Sequence, residues 1–145
     1  MRAKLILPIV AWLAIAFVPA IAVGATWTVT NTSDGPIGVC DSDCTLREAL
    51  TFAGNADVIP FAAGVTGTIT LGGAGELFIQ HNITINGPGP NVLAISGANA
   101  TRIFEIKAGS TVSISGLTIT NGNQRRSGRV GWRRLTIWNL PSSQF

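Results

Sequence analysis

Few side chains in this sequence could do chemistry, and the most reactive are two cysteines and one histidine. Cys40 and Cys44 could bind a metal or form a disulfide. Two cysteines cannot complete a tetrahedral zinc site, and His81 is the only histidine that could join them. No partner stands in a spacing that would make His81 a catalytic base, so we interpret it as a turn residue. We therefore predict no catalytic residue, no cofactor and no metal.

Three aspartates near the cysteines form a second group with possible chemistry. Asp34, Asp41 and Asp43 carry the oxygen ligands that calcium prefers, but their spacing matches no complete calcium loop. Acidic side chains also suit a helix N-terminus, where the backbone dipole is positive. We interpret the three as solvated turn residues beside a helix, with a calcium site as the alternative.

A short helix is predicted immediately after the second cysteine. Thr45 and Glu48 have the spacing of a capping box, in which each side chain bonds the other's backbone N–H. Gly54 stands where a helix end commonly adopts a left-handed conformation. The apolar residues recur at helical spacing and would form one buried face; they are Leu46, Ala49, Leu50 and Ala53.

Beyond the helix, apolar and polar residues alternate in short runs separated by glycine-rich turns. Alternation predicts strands with one buried face. The alternating pairs are Ile69 and Leu71, Leu77 and Ile79, Ile83 and Ile85, Leu93 and Ile95, Phe104 and Ile106, Val112 and Ile114, and Leu117 and Ile119. Residues 82–87 resemble residues 116–122, which indicates a solenoid repeat. An antiparallel sandwich or barrel would give a similar strand count, but a helix ahead of the first strands favours a solenoid, whose open end needs covering.

The segment around the helix start resembles a known motif. Cys44-Thr45-Leu46-Arg47-Glu48-Ala49 is similar to the Cys-Ser-Leu-Arg-Glu-Ala sequence of the CSLREA domain, and it departs only at Thr45, which keeps the capping hydroxyl. The likeness extends from Thr-Val-Thr-Asn-Thr at residues 28–32 to Ser-Gly-Leu-Thr-Ile-Thr-Asn-Gly at residues 115–122. The resemblance implies the N-terminal cap of a secreted bacterial protein built as a right-handed parallel β-helix with the pectin lyase-like fold. It implies no catalytic residue.

The N-terminal segment has the composition of a secretory signal peptide. A positive start at residues 2–4 precedes an almost wholly apolar run at residues 5–23. Val23 and Ala25 would occupy positions −3 and −1 of the cleavage site if Thr26 begins the mature chain. An uncleaved membrane anchor is the alternative, since the run approaches spanning length. Prolines within the run and small residues after it favour cleavage.

Export decides how the cysteines are interpreted. An oxidising destination favours a disulfide, and Cys40 and Cys44 are the only cysteines in the chain. Closing so small a loop stabilises the folded chain by about 2 kcal/mol in the chain-entropy model. The bridge would hold the acidic loop against the helix start.

The formal net charge of +3 does not describe the body of the chain. Five arginines lie beyond residue 124, and two further basic residues belong to the signal segment. Between residues 26 and 124, three basic residues face seven acidic ones, a net charge of −4. A basic body would suggest nucleic acid or an anionic membrane as a partner. This body suggests neither nucleic acid nor, after signal cleavage, a membrane.

Residues 124–145 break the pattern of the body, with five arginines, two tryptophans and no acid. One interpretation is a cationic segment for an anionic membrane surface. The genetic code offers another. If Trp132-Arg133-Arg134 is encoded TGG AGG AGG, a shift of one base gives three glycines, as in a further glycine-rich turn. We predict a frameshifted end of a longer protein, with the membrane segment as the alternative.

The sequence thus predicts a signal peptide (1–25), a capping module (26–62), the first β-helix coils (63–123) and an atypical tail (124–145). The predicted function is non-enzymatic: a secreted or cell-surface module, structural or adhesive, truncated from a longer surface protein and facing an extracellular glycan or protein. The alternative is the remnant of a carbohydrate-active, polysaccharide lyase-like enzyme. The acids and bases such an enzyme needs would have to come from Glu76, Arg102, Glu105 and Lys107.

Overall fold

A computed structural model of the chain describes residues 23–123 and 135–137. Within these residues the chain forms one short helix and nine short strands: α1 (Leu46–Phe52), β1 (Asp57–Pro60), β2 (Gly67–Thr70), β3 (Leu77–Ile79), β4 (Ile83–Asn86), β5 (Leu93–Ser96), β6 (Phe104–Ile106), β7 (Val112–Ser115), β8 (Thr118–Thr120) and β9 (Leu135–Ile137). The prediction of a strand-rich chain with a single short helix is confirmed for this part. Residues 1–22 of the predicted signal peptide lie outside it.

The strands form three parallel sheets, with the orders β1-β4-β7-β9, β2-β5-β8 and β3-β6. Each strand from β1 to β5 pairs with the strand three places later in the chain. The step along the chain is 26 residues from Asp57 to Ile83 and 29 residues from Ile83 to Val112. The antiparallel sandwich or barrel considered as the alternative is therefore excluded for the described sheets.

Stacked apolar side chains form the core between the sheets. Ile59, Ile85 and Ile114 are register partners in three successive strands, and all three are buried. Ile69 and Ile95 form a similar pair in the second sheet. Each fully buried side chain of this size contributes about 1.5–3 kcal/mol of hydrophobic free energy. The alternation seen in the sequence thus marks the inward face in most strands, whereas Phe104, Ile106 and Ile119 are only partly buried.

The repeat inferred from the sequence does not correspond to the stacking in the structure. Residues 82–87 contain β4 and residues 116–122 contain β8, and these strands lie in different sheets. The register partner of β4 is β7, whose sequence Val-Ser-Ile-Ser shares only the alternation. The two segments resemble each other because each is an Ile-Thr strand followed by an Asn-Gly turn, a local similarity that does not specify a partner.

The end of α1 also differs from the prediction. The helix ends at Phe52, and the C-cap residue Ala53 is extended, with φ −64° and ψ 133°. Gly54 is not left-handed; its N–H donates to Asp57 Oδ2 at 2.7 Å. The left-handed residue of this turn is Ala56, with φ 68°. The carboxylate of Asp57 ends the helix here, so no left-handed glycine is needed.

The segment before the helix completes the other edge of β1. Trp27 and Val29 donate their N–H groups to the carbonyls of Val58 and Pro60, at 3.0 and 2.9 Å. Val29 is fully buried. Both edges of β1 are therefore paired, one with this segment and one with β4, which protects it from pairing with another chain.

Part of the tail continues the first sheet. The backbone of β9 pairs in parallel with β7, with Leu135 opposite Val112 and Ile137 opposite Ile114. The remainder of the tail lies outside the described residues, and the frameshift stays a prediction. In the described part of the chain, no helix is both long enough and apolar enough to cross a membrane.

Candidate functional site

The predicted capping box is present, and Glu48 extends it to the preceding loop. Thr45 Oγ1 accepts from the Glu48 N–H at 3.2 Å, and Thr45 N–H donates to Glu48 Oε2 at 2.8 Å. The other carboxylate oxygen accepts from the Gly38 N–H at 2.8 Å. The hydrogen bond from the Thr45 backbone, followed by the smaller contribution from Gly38, lowers the pKa of Glu48 despite its burial. One side chain thus joins the helix start to the loop before Cys40.

Cys40 and Cys44 form a disulfide, with their Cα atoms 4.3 Å apart. The backbone of Cys44 is also held by Thr30: Cys44 N–H donates to Thr30 Oγ1 at 2.8 Å, and Thr30 N–H donates to Cys44 O at 2.8 Å. Thr30 belongs to the Thr-Val-Thr-Asn-Thr opening. This opening and the CSLREA-like segment therefore meet at Cys44, which is fully buried.

Arg47 links three separate segments, a role that the sequence analysis did not assign. Its guanidinium donates to both carboxylate oxygens of Asp34, at 2.7 and 3.0 Å, and the two side chains are only 8% and 3% exposed. It also donates to the carbonyls of Gly75 and Glu76, at 2.8 and 3.0 Å. Asp34 in turn accepts from the Gly72 N–H at 2.7 Å. In the sequence, the only sign of this role is that Arg47 is the single basic residue of the helix.

The predicted apolar face of α1 is buried at all four positions: Leu46, Ala49, Leu50 and Ala53. Ala53 lies one residue beyond the helix, as its C-cap. Phe52, which is 42% exposed, stacks on Trp27 with ring centroids 5.7 Å apart. The helix thus packs near β3 and also contacts the N-terminal segment.

Asp57 is a buried carboxylate that the sequence analysis treated only as a charge. It accepts from the backbone N–H of Gly54 at 2.7 Å, the indole N–H of Trp27 at 2.9 Å and the backbone N–H of Ala25 at 2.7 Å. These hydrogen bonds, with Gly54 the largest contributor, lower the pKa of Asp57. A carboxylate with three donors is suited to ordering the segment around Ala25 and Trp27 rather than to proton transfer.

The acids and bases considered for a carbohydrate-active site are partly brought together. Arg102 Nη2 donates to Glu76 Oε1 and to Glu105 Oε2, both at 3.0 Å, and the three side chains are 32–42% exposed. Phe78, the register partner of Glu105, is 44% exposed. We call these four residues the β3–β6 patch.

Lys107 does not join this patch but lines a shallow polar hollow with His81. Asn82, in the same hollow, is used to connect successive turns of chain: its Oδ1 accepts from the Thr111 N–H at 2.7 Å, and its N–H donates to Asn55 Oδ1 at 3.0 Å. The amides of Asn55 and Asn82 are therefore engaged in the fold. The prediction that His81 lies in a turn agrees with its place between β3 and β4.

The aspartates considered for calcium are dispersed among different partners. Asp34 pairs with Arg47, Asp43 accepts from the Asn31 side chain at 2.8 Å, and Asp41 accepts from the Asp43 N–H at 3.0 Å. Among residues 23–123, no three histidine, cysteine, aspartate or glutamate side chains group closely enough to hold a metal ion. Asp34 and Asp43 therefore hold separate segments of the N-terminal part together through Arg47 and Asn31.

Comparisons of the chain with protein-family models, with curated proteins and with solved structures found no match. Function must therefore be inferred from the residues and their contacts.

Proposed function

We propose that this chain is the N-terminal end of an exported bacterial right-handed parallel β-helix, with a non-enzymatic, structural or adhesive role. The observation that carries the proposal is the regular pairing of each strand from β1 to β5 with the strand three places later. In a solenoid whose coils have three strands each, every strand pairs in parallel with the strand three places later. Residues 63–123 would contain about two to three such coils. An experimental structure of the exported chain tests the handedness and the continuity of the coils.

In this proposal residues 26–62 are a CSLREA-like capping module. Three observations support it: the N-terminal segment pairs with the outer edge of β1, α1 packs near β3, and Arg47 reaches the turn before β3. Arg47 and Glu48 bond to other parts of the fold, and the Thr45 side chain bonds Glu48 within the capping box. A motif whose polar groups are engaged in this way suits a cap better than a catalytic site.

The proposed location is outside the cell or on its surface, and a fractionation experiment tests it. The full chain with a C-terminal tag is expressed in a bacterial host, and cytoplasm, periplasm, membranes and medium are probed separately. We expect a processed form outside the cytoplasm. Full-length protein confined to the cytoplasm would contradict export.

An adhesive role predicts binding without turnover. The exported chain is immobilised and tested for binding to panels of glycans and extracellular proteins, and the bound glycans are then recovered for analysis. We expect them to be unchanged in length. A chain in which the β3–β6 patch is altered by Arg102→Ala and Phe78→Ala tests whether that exposed surface contributes to binding, with Gly73→Ala as a control at an open position.

The alternative, a polysaccharide lyase-like remnant, is favoured only by the β3–β6 patch, where two carboxylates share one arginine. Such an enzyme would release unsaturated sugars that absorb in the ultraviolet. We expect no increase in absorbance with acidic polysaccharides, with or without calcium. An increase that disappears in Arg102→Ala and persists in Gly73→Ala would favour the enzyme over the adhesive module.

A further inference from the structure

The described fold begins at Gly24 and Ala25, before the residue at which the signal pattern starts the mature chain. Ala25 N–H donates to Asp57 Oδ1 at 2.7 Å, and Ala25 O accepts from the Val58 N–H at 2.9 Å. Val23, by contrast, is 88% exposed. Cleavage after Ala25 would remove both of these hydrogen bonds from the mature protein. Cleavage before Ala25 would keep them.

The surroundings of Asp57 suit a positive charge at the Ala25 nitrogen. Asp57 is 7% exposed, and it forms no ion pair within residues 23–123. A buried ionised carboxylate is stabilised most by a cation that also donates hydrogen bonds. The amino group of a chain that starts at Ala25 would be such a cation, because an α-ammonium has three N–H donors at the position where the amide now donates.

We propose that a signal peptidase cleaves between Gly24 and Ala25 and that the new α-ammonium of Ala25 pairs with the Asp57 carboxylate. Water adds across the peptide bond: Gly24 leaves with the carboxylate, and the Ala25 nitrogen takes up protons to become an ammonium. Ala22 and Gly24 would stand at positions −3 and −1, where signal peptidases require small residues. The inference rests on the export proposed above and moves the expected cleavage site by one residue.

Two substitutions distinguish the two cleavage sites. Gly24→Leu puts a bulky residue at position −1 of the proposed site, whereas Ala25→Leu does so for cleavage after Ala25. Ala25 is exposed and contributes only backbone atoms to these contacts, so the fold tolerates a larger side chain there. We expect Gly24→Leu to lose processing and Ala25→Leu to be processed like the original chain.

Gly24→Ala tests a different alternative, cleavage before Gly24, in which Gly24 stays in the mature chain. A Cβ at this position would lie within 1.9 Å of the Ala56 carbonyl oxygen, so alanine there is incompatible with the observed packing. Alanine is acceptable at position −1, so processing continues. If Gly24 is removed, the mature protein is identical in sequence and melts at the same temperature. If Gly24 is retained, the mature variant melts at a lower temperature.

The experiment uses the full chain, exported and purified, with N-terminal sequencing and intact mass. A first residue of Ala25 supports the proposal, while an exported protein that starts at Thr26 or at Gly24 overturns it and leaves export intact. Unprocessed protein in the cytoplasm overturns export and this proposal together.

The reactivity of the terminal amine tests the ion pair directly. Acylation of the amine is compared for the folded and the urea-unfolded mature chain near neutral pH. Each unit by which pairing raises the pKa of the amine slows the reaction about tenfold. We expect slower acylation in the folded chain and loss of most of the difference in Asp57→Asn. Equal rates in the folded and unfolded original chain would overturn the ion pair even if Asp57→Asn does not fold.

Discussion

Arg47 and Asp34 form a two-point ion pair beneath the surface, with Nε to Oδ1 at 2.7 Å and Nη2 to Oδ2 at 3.0 Å. The pair joins α1 to the N-terminal loop, and two further guanidinium N–H groups donate to carbonyls of the turn before β3. Removing one partner leaves a buried charge without compensation. The pair is therefore the contact whose loss should most disturb the connection between the N-terminal module and the strands.

Arg47→Ala should lower the free energy of unfolding by about 3 kcal/mol, as expected for breaking a buried pair. Arg47→Lys should recover only part of the loss, since a lysine cannot form the two-point contact. The matched control is Arg102→Ala, which removes an exposed arginine with two carboxylate partners and should change stability by less than about 1 kcal/mol. Urea unfolding followed by circular dichroism measures all three. Equal losses in Arg47→Ala and Arg102→Ala would contradict the prediction.

Gly87→Ala should destabilise the stack between β4 and β7. An added Cβ would lie 2.1 Å from the carbonyl oxygen of Gly116, and backbone on the facing turn cannot move as a side chain can. We expect a loss of about 2 kcal/mol or more. Gly73→Ala is the control, because nothing lies within 4 Å of its added Cβ, and it should stay within about 0.5 kcal/mol. Thermal unfolding compares the two variants, and similar melting temperatures would argue against the close contact of the turns.

Acid should weaken the N-terminal module through Glu48 and Asp57. Both have a pKa below their ordinary values of 4.5 and 3.8, so their stabilisation is complete above those values. It is lost as the pH falls through the lower pKa of the folded state. Asp57→Asn should reduce the slope of stability against pH in this acidic range, because it removes a group whose pKa is lower in the folded chain. Urea midpoints across the acidic range give the slopes. If the stability of Asp57→Asn falls with pH as steeply as that of the original chain, Asp57 does not contribute to the acid sensitivity.

The disulfide should contribute about 2 kcal/mol through the unfolded state. The exported chain should have the mass of the oxidised form and resist alkylation until it is reduced. Replacing Cys40 and Cys44 together by alanine should lower stability by this amount, and reduction of the original chain should cause a similar loss. Two thiols that alkylate freely in exported protein would show that the bridge does not form there.

Deleting residues 124–145 should leave α1 and the strands β1 to β8 in place. The pairings among these strands do not depend on β9, which pairs with the outer edge of β7. Loss of β9 exposes that edge, so we expect increased aggregation with an unchanged circular dichroism spectrum. A frame-restored version of the same segment is the matched comparison, and it should be more soluble than the truncated chain. Global unfolding on truncation would make the tail an essential cap and would count against a frameshifted origin.

Local features of this protein were determined by the sequence alone. The capping box at Thr45 and Glu48 and the apolar face of α1 depend on residues within a few positions of each other, so spacing is sufficient to predict them. The strands follow from the alternation of apolar residues for the same reason. β1 was not among the alternating pairs because one of its two inward positions is Asp57 rather than an apolar residue.

Only the tertiary structure decided which distant groups meet. Several strands have similar Ile-Thr sequences, so their partners are selected by the packing of the whole stack and not by any one segment. Arg47 and Asp34 are 13 residues apart, and Ala25 and Asp57 are 32 apart. A charged residue has the same local pattern whether it faces water or a buried partner. Its role becomes definite only when the fold removes it from solvent and supplies the opposite charge or the donors it needs.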